Sequence, residues 1–398
     1  MSAPVELAVV GGGIVGATLA ALAAQQARIE PARIVLIEPA APVAPAAQES
    51  IDLRVSAFAP AGIALLTQVG AWPLLDASRL GVCERMRIWP EHLPPDSPDA
   101  LVFDAAELGE SQLAVIAENR AVQAALLARC AALGVRVLPH RVTHLSFADD
   151  VARLEVNGET FDAQLVAGAD GAESAVRAAA GISVHRRGYQ QLAIVAVVRP
   201  SRPQPGVAFQ RFVSTGPVAL LPLPGGDCSI VWSAQEPRAN ELLALDDAAF
   251  AAELTRVTTE VLGNLQMVSR RAAFPLRRLA AQRYIAPNCV LLGDAAHVIH
   301  PLAGQGVNQG LLDAQALVAA LVSRPRGEGI AALSALRRYE RERRAGNALM
   351  GGMVDTLDRI FSRPTGLPAR IAAAGMGLVN RNLIARRFFF RQAAAGRS

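Results

Sequence analysis

Lysine is absent from this sequence, and all 39 residues counted as Lys or Arg are arginine. The absence excludes Schiff-base catalysis, phosphate binding by a P-loop and every mechanism that needs a lysine as general base. The arginines are dispersed and form no long basic arm, although the formal net charge is +4. We therefore expect no nucleic-acid partner.

Cysteine is scarce, and no two cysteines are spaced as a C-x-x-C pair. Each lies among apolar residues and is expected to be a buried thiol in a reducing compartment. His297 and His300 are three residues apart, but no carboxylate or cysteine cluster completes a metal site around them, so no metal is predicted. The four cysteines are Cys83, Cys130, Cys228 and Cys289.

Long apolar runs are also missing: no window offers the roughly twenty uninterrupted apolar residues that a membrane-spanning helix needs. The apolar N-terminus carries Glu6 and three consecutive glycines instead of basic residues, which is not the pattern of a signal peptide. We expect a cytoplasmic protein, with peripheral association with the inner membrane left open.

The first forty residues predict a dinucleotide-binding βαβ unit. A strand at 5–10 leads into Gly11, Gly13 and Gly16, which occupy the positions of a G-x-G-x-x-G motif. A small-residue helix follows, and then a second strand at 34–37, directly before Glu38. The glycines permit a tight turn, approach of a pyrophosphate and packing of the helix on the strand. Glu38 can accept hydrogen bonds from an adenosine ribose, which leaves NAD or FAD as the cofactor.

Two further predicted strands end in a carboxylate at a glycine-rich turn, one at Asp170 and the other at Asp294. The carboxyl ends of parallel strands meet at one edge of a sheet, where ligands collect. A glycine-rich turn after Asp294 then leads into a predicted helix at 311–322. By itself this pattern also fits an ordinary strand–loop–helix connection.

The length of FAD distinguishes it from NAD at this site, because its ribityl chain and ring extend across the sheet. Asp294 could accept hydrogen bonds from the ribityl hydroxyls, and amides at a helix start could face the polar edge of the ring and favour negative charge there. No second G-x-G-x-x-G follows a strand, so NAD(P)H would bind transiently. The segment offered to the ring contains Gly304, Gly306, Val307 and Asn308.

The predicted fold class is α/β: an FAD-binding Rossmann-like domain, interrupted by a mostly antiparallel β substrate domain and followed by a helical C-terminal tail. The interruption is indicated by short strands with Pro and Gly between them, at 192–198, 207–213, 218–223 and 229–233. We assign residues 1–75, 101–182 and 275–332 to the FAD-binding domain, residues 76–100 and 183–274 to the substrate domain, and residues 333–398 to the tail.

Several charged segments allow more than one interpretation. Arg54, in an otherwise apolar stretch, either contacts a cofactor phosphate or substrate or forms an ion pair with Asp52 or Glu49. The charged run at 337–344 is interpreted as a solvated helix face. Residues 384–391, with three phenylalanines among three arginines, either dock on the core or form an interfacial or partner-binding element.

The segments GGGIVGATLA, DLRVSA, ENRAVQAALL, GADGAESAVR, GPVALLPLP with SIVWS, and GDAAHVIHPLAGQGVNQG followed by RRYERER span residues 7–344. Together they resemble the single-component FAD-dependent aromatic hydroxylases, which have the para-hydroxybenzoate-hydroxylase-like fold. Within these the chain is similar to the ubiquinone-biosynthesis hydroxylases that act on polyprenylated phenols. It departs from the family pattern at Glu173, where Asn or Arg is usual, and at Gln309, where Leu is usual.

The resemblance implies FAD as the cofactor and assigns it contacts. They are pyrophosphate at Gly11, Gly13 and Gly16, ribose at Glu38, further contacts from Arg54 and Arg120, the ribityl chain at Asp294, and the ring at Gly306, Val307 and Asn308. Asp170 and Gly171 match a family motif that serves both FAD and nicotinamide binding.

The resemblance also implies hydroxylation of an electron-rich phenol ring through a flavin C4a-hydroperoxide, with O₂ and NAD(P)H as co-substrates. The flavin carries the chemistry, so no catalytic side chain is predicted, and the protein supplies position and dryness. Apolar strands facing the loop at 301–304 would suit a greasy polyprenyl tail. Leu221, Trp232 and Pro301 are the predicted pocket residues.

Two alternatives remain: an aromatic hydroxylase of another pathway with a soluble substrate, and a non-catalytic FAD-binding subunit of a biosynthetic complex. Flavin-dependent halogenation is excluded because it requires a lysine. The sequence leaves open the ring carbon, the prenyl chain length, the electron donor, and whether the chain forms a homo-oligomer or associates with the membrane or a biosynthetic complex.

Overall fold

The computed structural model describes residues 5–148, 150–298 and 306–361. Its strands are β1 (Val5–Val10), β2 (Ile34–Ile37), β3 (Val55–Phe58), β4 (Gly81–Cys83), β5 (Arg85–Pro90), β6 (Leu101–Asp104), β7 (Ala114–Glu118), β8 (Arg136–Leu138), β9 (Val142–Phe147), β10 (Ala152–Val156), β11 (Glu159–Gly168), β12 (Val184–Pro200), β13 (Val207–Val213), β14 (Gly216–Pro222), β15 (Cys228–Gln235), β16 (Leu265–Met267), β17 (Ala272–Ala281), β18 (Ile285–Ala286), β19 (Cys289–Leu291) and β20 (His297–Val298). Its α-helices are α1 (Ile14–Gln26), α2 (Pro60–Gln68), α3 (Ala105–Leu108), α4 (Asn119–Ala132), α5 (Ala175–Ala179), α6 (Glu236–Ala244), α7 (Asp247–Val257), α8 (Gly306–Val322) and α9 (Leu333–Phe361).

A parallel sheet forms the first part of the fold, in the order β19-β11-β1-β2-β8. Its central strands are buried on both faces, which explains why β2 and the part of β1 after Glu6 are continuous apolar runs instead of alternating ones. Strand β18 adds an antiparallel edge, and the hairpin β9–β10 extends β11. The arrangement confirms the predicted α/β class.

A nine-stranded, mostly antiparallel sheet has the order β20-β17-β12-β15-β14-β13-β5-β6, with β16 pairing with β12. Six of its strands are inserted between β11 and β19, whereas β5 and β6 come from before β11 and β20 from after β19. One face is covered by α6 and α7, whose apolar side chains pack on those of β12, β14 and β15. The opposite face contacts the small sheet β3-β7-β4. The predicted inserted sheet is therefore present, with a covered face and a face turned toward the nucleotide-binding part.

Several elements differ in extent from the sequence-based expectation. Strand β12 has 17 residues instead of seven, because its N-terminal half pairs with β17 as a long ribbon. Strand β17 continues the inserted sheet to Ala281, so the assigned domain limit at 275 falls inside it. Helix α8 begins at Gly306, five residues before the expected Leu311. These extensions depend on partners that are distant in the sequence.

Backbone contacts at the end of β1 place the first helix. A methyl group on Gly11, whose φ is +99°, would lie 2.3 Å from the carbonyl oxygen of Ala169, and one on Gly16 would lie 1.9 Å from the carbonyl oxygen of Gly11. Both distances are well inside van der Waals contact. The two glycines therefore let α1 pack against β1 and the turn after β11.

We predict that Gly16→Ala destabilises the apoprotein by about 3 kcal/mol, because backbone atoms must move to admit the methyl group. Gly13→Ala is the matched control: no atom lies within 4 Å of the added methyl, and the φ of Gly13 is −61°. Chemical unfolding of the two apoproteins measures the difference. Equal unfolding midpoints would contradict the proposed close packing.

Candidate functional site

The N-terminus of α1 is open at the carboxyl edge of the parallel sheet. Gly13 is its N-cap residue and has no atom within 4 Å of where a side chain would stand. Two side chains fix the backbone of the turn: the Gly12 amide donates to Glu38 Oε2 (2.7 Å), and the Gly12 carbonyl accepts from Gln123 (3.0 Å). Free amides at a helix start beside open space fit a pyrophosphate.

Asp170 follows β11 and has one engaged and one unengaged carboxylate oxygen. Its Oδ2 accepts hydrogen bonds from the amides of Ala175 (2.7 Å) and Val176 (3.1 Å) at the start of α5. Its Oδ1 is buried and has no hydrogen-bond partner among the described residues. A buried carboxylate oxygen without a donor is costly, so this atom marks a position where a ligand hydroxyl would be accepted.

Asp294 lies in a single 3₁₀ turn, Gly293–Ala295, after β19. Its side chain is open to solvent, yet protein atoms crowd around it. That crowding raises the pKa of its carboxyl above the ordinary value, while the charges of His297 and Arg54 act in the opposite direction. Because the group is exposed, solvent screens part of this effect.

The first turn of α8 contains three predicted flavin contacts. Gly306, Val307 and Asn308 are its first residues, so their amides have no acceptor within the helix. The Asn308 side chain is already engaged, accepting from the Ala59 amide (3.0 Å) and donating to the Ala57 carbonyl (2.8 Å). Asn308 therefore offers a ligand only its backbone amide, and its side chain fixes the end of β3.

Two predicted site residues, Gly304 and Pro301, lie outside the described residues, as does the segment 384–391. The expectations attached to them stay predictions.

The two predicted arginine contacts differ in their surroundings. Arg120 forms ion pairs with Glu49 and, at 3.5 Å, with Asp52. Arg54 is exposed and has no carboxylate partner in the part of the chain that the structure describes. The ion-pair interpretation of Arg54 is thus not realised, because both candidate acids pair with Arg120.

A buried ion pair that the sequence analysis missed organises this region. Arg79 donates two hydrogen bonds to Glu118 (2.8 and 2.9 Å), and both side chains are almost fully buried. Arg79 also donates to the carbonyls of Ala46 and Glu49, while Glu118 accepts from the Asp52 amide. The pair holds the loop that carries the partners of Arg120. Arg79 lies in a short polar loop, where no sequence signal indicated burial.

A second missed residue links the two acid-bearing turns. Arg177 is 4% exposed and donates to the Ala295 carbonyl (2.9 Å) and the Ala172 carbonyl (2.7 Å). Asp170 and Asp294 each lie within two residues of one of these carbonyls. The position of Arg177 inside the apolar segment after the Asp170 turn was a signal that could have identified it.

The predicted pocket residues Leu221 and Trp232 lie on opposite faces of the inserted sheet. Leu221 packs toward Ile116 of the small sheet, whereas Trp232 is 1% exposed and packs on Phe250 of α7, with ring centroids 5.8 Å apart. The expectation that both line one pocket is wrong: Leu221 pairs with Ser229 and Trp232 pairs with Val218, three residues before Leu221, so the two side chains project from opposite faces. Val231, next to Trp232, shares the face of Leu221.

The cysteines are confirmed as free and buried. Burial raises the pKa of the Cys83 thiol to about 11 and those of Cys130, Cys228 and Cys289 to about 12, so the thiols stay protonated and unreactive at neutral pH. No metal-binding cluster of His, Cys, Asp and Glu occurs within 5–148, 150–298 and 306–361.

Comparison with known proteins gives the site a context. The FAD binding domain family matches residues 122–350. A ubiquinone hydroxylase of Rhodospirillum rubrum is 37% identical, and the matched region covers 98% of this chain and 89% of the relative. The 3-demethoxyubiquinol 3-hydroxylase of Escherichia coli is 37% identical over 90% of each chain, and the human mitochondrial ubiquinone biosynthesis monooxygenase COQ6 is 31% identical over 90% of this chain and 85% of its own.

Solved structures share the fold. PqsL of Pseudomonas aeruginosa, a probable FAD-dependent monooxygenase, has a TM-score of 0.75 at 24% identity and covers 94% of this chain and 99% of its own. HpxO of Klebsiella pneumoniae, solved with FAD and uric acid, has a TM-score of 0.74 at 17% identity and covers 100% and 99%. At these identities the likeness shows the fold alone.

We predict that Asp294→Asn weakens FAD binding but leaves the apoprotein at pH 7 at least as stable as the wild type. A carboxyl whose pKa is raised by folding opposes folding once ionised, and this penalty is present above its ordinary range and disappears below it. The difference in melting temperature should therefore shrink as the pH falls toward about 4. A lower melting temperature of the variant apoprotein at pH 7 would contradict this.

Proposed function

The chain belongs to the FAD-dependent hydroxylases of ubiquinone biosynthesis, and from that premise we propose that it hydroxylates the aromatic ring of a polyprenylated phenol. It is an FAD-dependent monooxygenase. O₂ and NAD(P)H are its co-substrates in this proposal. The observation that carries the proposal is similarity to ubiquinone hydroxylases along nearly the whole chain.

We propose that FAD lies along the carboxyl edge of the parallel sheet. The features that support this are the open helix start at Gly13, the unpartnered Oδ1 of Asp170, the exposed carboxylate of Asp294 and the free amides at the start of α8. The proposed contacts are Gly11, Gly13, Gly16, Glu38, Arg54, Arg120, Asp170, Asp294, Gly304, Gly306, Val307 and Asn308.

The parallel sheet and its helices form the FAD-binding domain in this proposal, and the nine-stranded sheet with α6 and α7 forms the substrate domain. The segment β4–β6 is shared: β4 joins the small sheet through β7, while β5 and β6 extend the large sheet. The proposed domains are therefore defined by which sheet each strand joins, and each domain is built from more than one segment of the sequence.

The inserted sheet supports an apolar substrate. On the face turned toward the small sheet, Val195, Ala219, Leu221 and Val231 are half-buried apolar side chains on three adjacent strands. A small benzoate would need a fixed cation to hold its carboxylate. Ser229, whose register partners are Leu221 and Val197, places a buried hydroxyl on the same face. Such a wall suits a phenol ring with a hydrocarbon tail.

The chain's own residues contribute orientation and exclusion of water. FAD held at this edge would supply the redox chemistry, in which NAD(P)H provides two electrons, one atom of O₂ enters the ring and the other leaves as water. Asp294 and the amides of Gly306 and Val307 hold the cofactor, and the apolar sheet face keeps water from the ring edge. The hydroxyl of Ser229 is available to orient the phenol oxygen. No side chain is required to exchange a proton with the substrate.

We expect the purified protein to be yellow, and a polyprenylated phenol to stimulate its NAD(P)H oxidation while the phenol gains one oxygen atom. Oxidation of NADH and of NADPH is measured separately, with product mass determined by chromatography. Asp294→Ala is the control and should be colourless and inactive. Cells of the host in which the gene is deleted should accumulate a prenylated phenol. Normal ubiquinone without such accumulation would refute the pathway, and unstimulated NAD(P)H oxidation would favour a non-catalytic FAD-binding subunit.

No helix within the described ranges is long and apolar enough to cross a membrane. A polyprenyl tail nonetheless partitions into lipid, so we propose that the protein reaches its substrate at the membrane surface. The protein should co-sediment with vesicles of inner-membrane lipids, more strongly when they contain a polyprenylated phenol. Protein that stays in the supernatant under both conditions would oppose this.

A further inference from the structure

One fully buried carboxylate, Asp313 of α8, lies behind the proposed flavin contacts. Its Oδ2 accepts from the Gly293 amide (2.9 Å) and bonds to His297 Nε2 (2.5 Å), and its Oδ1 accepts from Arg343 Nε (2.6 Å). Burial alone would raise the pKa of this carboxyl, but His297 and Arg343 outweigh it and hold the pKa at about 2. Asp313 is therefore ionised in the folded protein.

The two groups that bond to Oδ2 lie on either side of Asp294 in the chain. Gly293 precedes it and His297 follows it by three residues, so one carboxylate oxygen holds both ends of the turn that presents Asp294. The ring of Tyr284 stacks on His297, with centroids 5.8 Å apart, which restricts the imidazole. The turn thus cannot shift without breaking a buried, charge-assisted contact.

The bonds to Oδ1 lead to the second flavin-facing segment. Arg343 of α9 is 6% exposed and, besides Asp313, donates through Nη2 to the side chain (3.0 Å) and carbonyl (3.3 Å) of Gln309. Gln309 directly follows Asn308 in the first turns of α8. Its side-chain oxygen gives Arg343 a further acceptor besides Asp313.

The rest of the surroundings is neutral or balanced. Asn347 accepts from Arg343 (3.0 Å) and donates toward Tyr284 Oη (3.3 Å), and Tyr339 donates to the Leu291 carbonyl (2.7 Å). A buried Asp–Arg pair is a poor source of net stability, because desolvation offsets the attraction. What the pair does provide is fixed geometry between three chain segments that meet at the cofactor edge.

We propose that Asp313 and Arg343 are positioning residues that fix the Asp294 turn and the first turns of α8 relative to each other, so that the ribityl and ring contacts match one bound FAD. The inference rests on the proposed placement of FAD. It adds that this match is set by a buried network, which extends through Gln309.

The test compares FAD binding and flavin spectra of Asp313→Asn with those of the wild type. We expect at least a tenfold rise in the dissociation constant, measured by flavin fluorescence on titrating apoprotein. We also expect a shifted reduction potential and an altered visible circular dichroism of the residual bound flavin. Thr255→Val in α7 is the matched control, because it removes buried hydrogen bonds to Ala251 and Leu265 far from the cofactor edge. It should lower the melting temperature only.

A second pair of variants applies if Asp313→Asn does not fold. Gln309→Met removes the side-chain acceptor for Arg343 without shortening the side chain, and should raise the dissociation constant of FAD about threefold. Gln309→Glu keeps a side-chain acceptor and should bind FAD with the affinity of the wild type. Folded Asp313→Asn with wild-type affinity and spectra would overturn the inference, as would equal affinities of Gln309→Met and Gln309→Glu. Wild-type apoprotein that binds no FAD would instead refute the proposed cofactor placement.

Discussion

The contact on which the site depends is the packing of Val15, in the first turn of α1, between two glycines from the last third of the chain. A methyl group on Gly310 would lie 2.3 Å from Val15 Cγ2, and one on Gly293 would lie 3.3 Å from it. Any larger residue at Gly310 would push α8 away from α1. The close approach brings the glycine turn before α1, the Asp294 turn and the start of α8 to one edge, so that one elongated ligand could contact all three.

The nucleotide-binding unit could be predicted from the sequence because its determinants are local. The spacing of Gly11, Gly13 and Gly16 and the apolar runs of β1 and β2 each act over a few residues, and the strand bounds agree with the structure. The start of α8 was placed too late because Gly306 and Gly310 were interpreted as turn residues. The structure keeps both in the helix, and Gly310 is needed there for its contact with Val15.

The parts that could not be predicted depend on partners remote in the sequence. Trp232 and Val231 are both apolar, so the alternation of β15 does not tell which face is covered by helices and which packs on the small sheet; the positions of α6 and α7 decide it. The charged run at 337–344 was interpreted as a solvated face, yet Arg343 and Tyr339 within it are buried. Glu340 and Arg344, 3.9 Å apart, occupy a more exposed part of the same helix. A charged residue in a helix can be predicted to be buried only when its ion-pair partner is known, and the partner of Arg343 is Asp313 in another helix.

The missing lysines acquire a structural meaning through the buried arginines. Arg79, Arg177 and Arg343 each donate to two or more different residues, including backbone carbonyls. A guanidinium has five donors in a rigid fork and stays charged when buried, whereas an ammonium has three donors on a flexible stem and loses its proton more readily. Each arginine joins segments that flank the cofactor edge. Replacing any of them with lysine would keep the charge while leaving at least one of these segments without its donor.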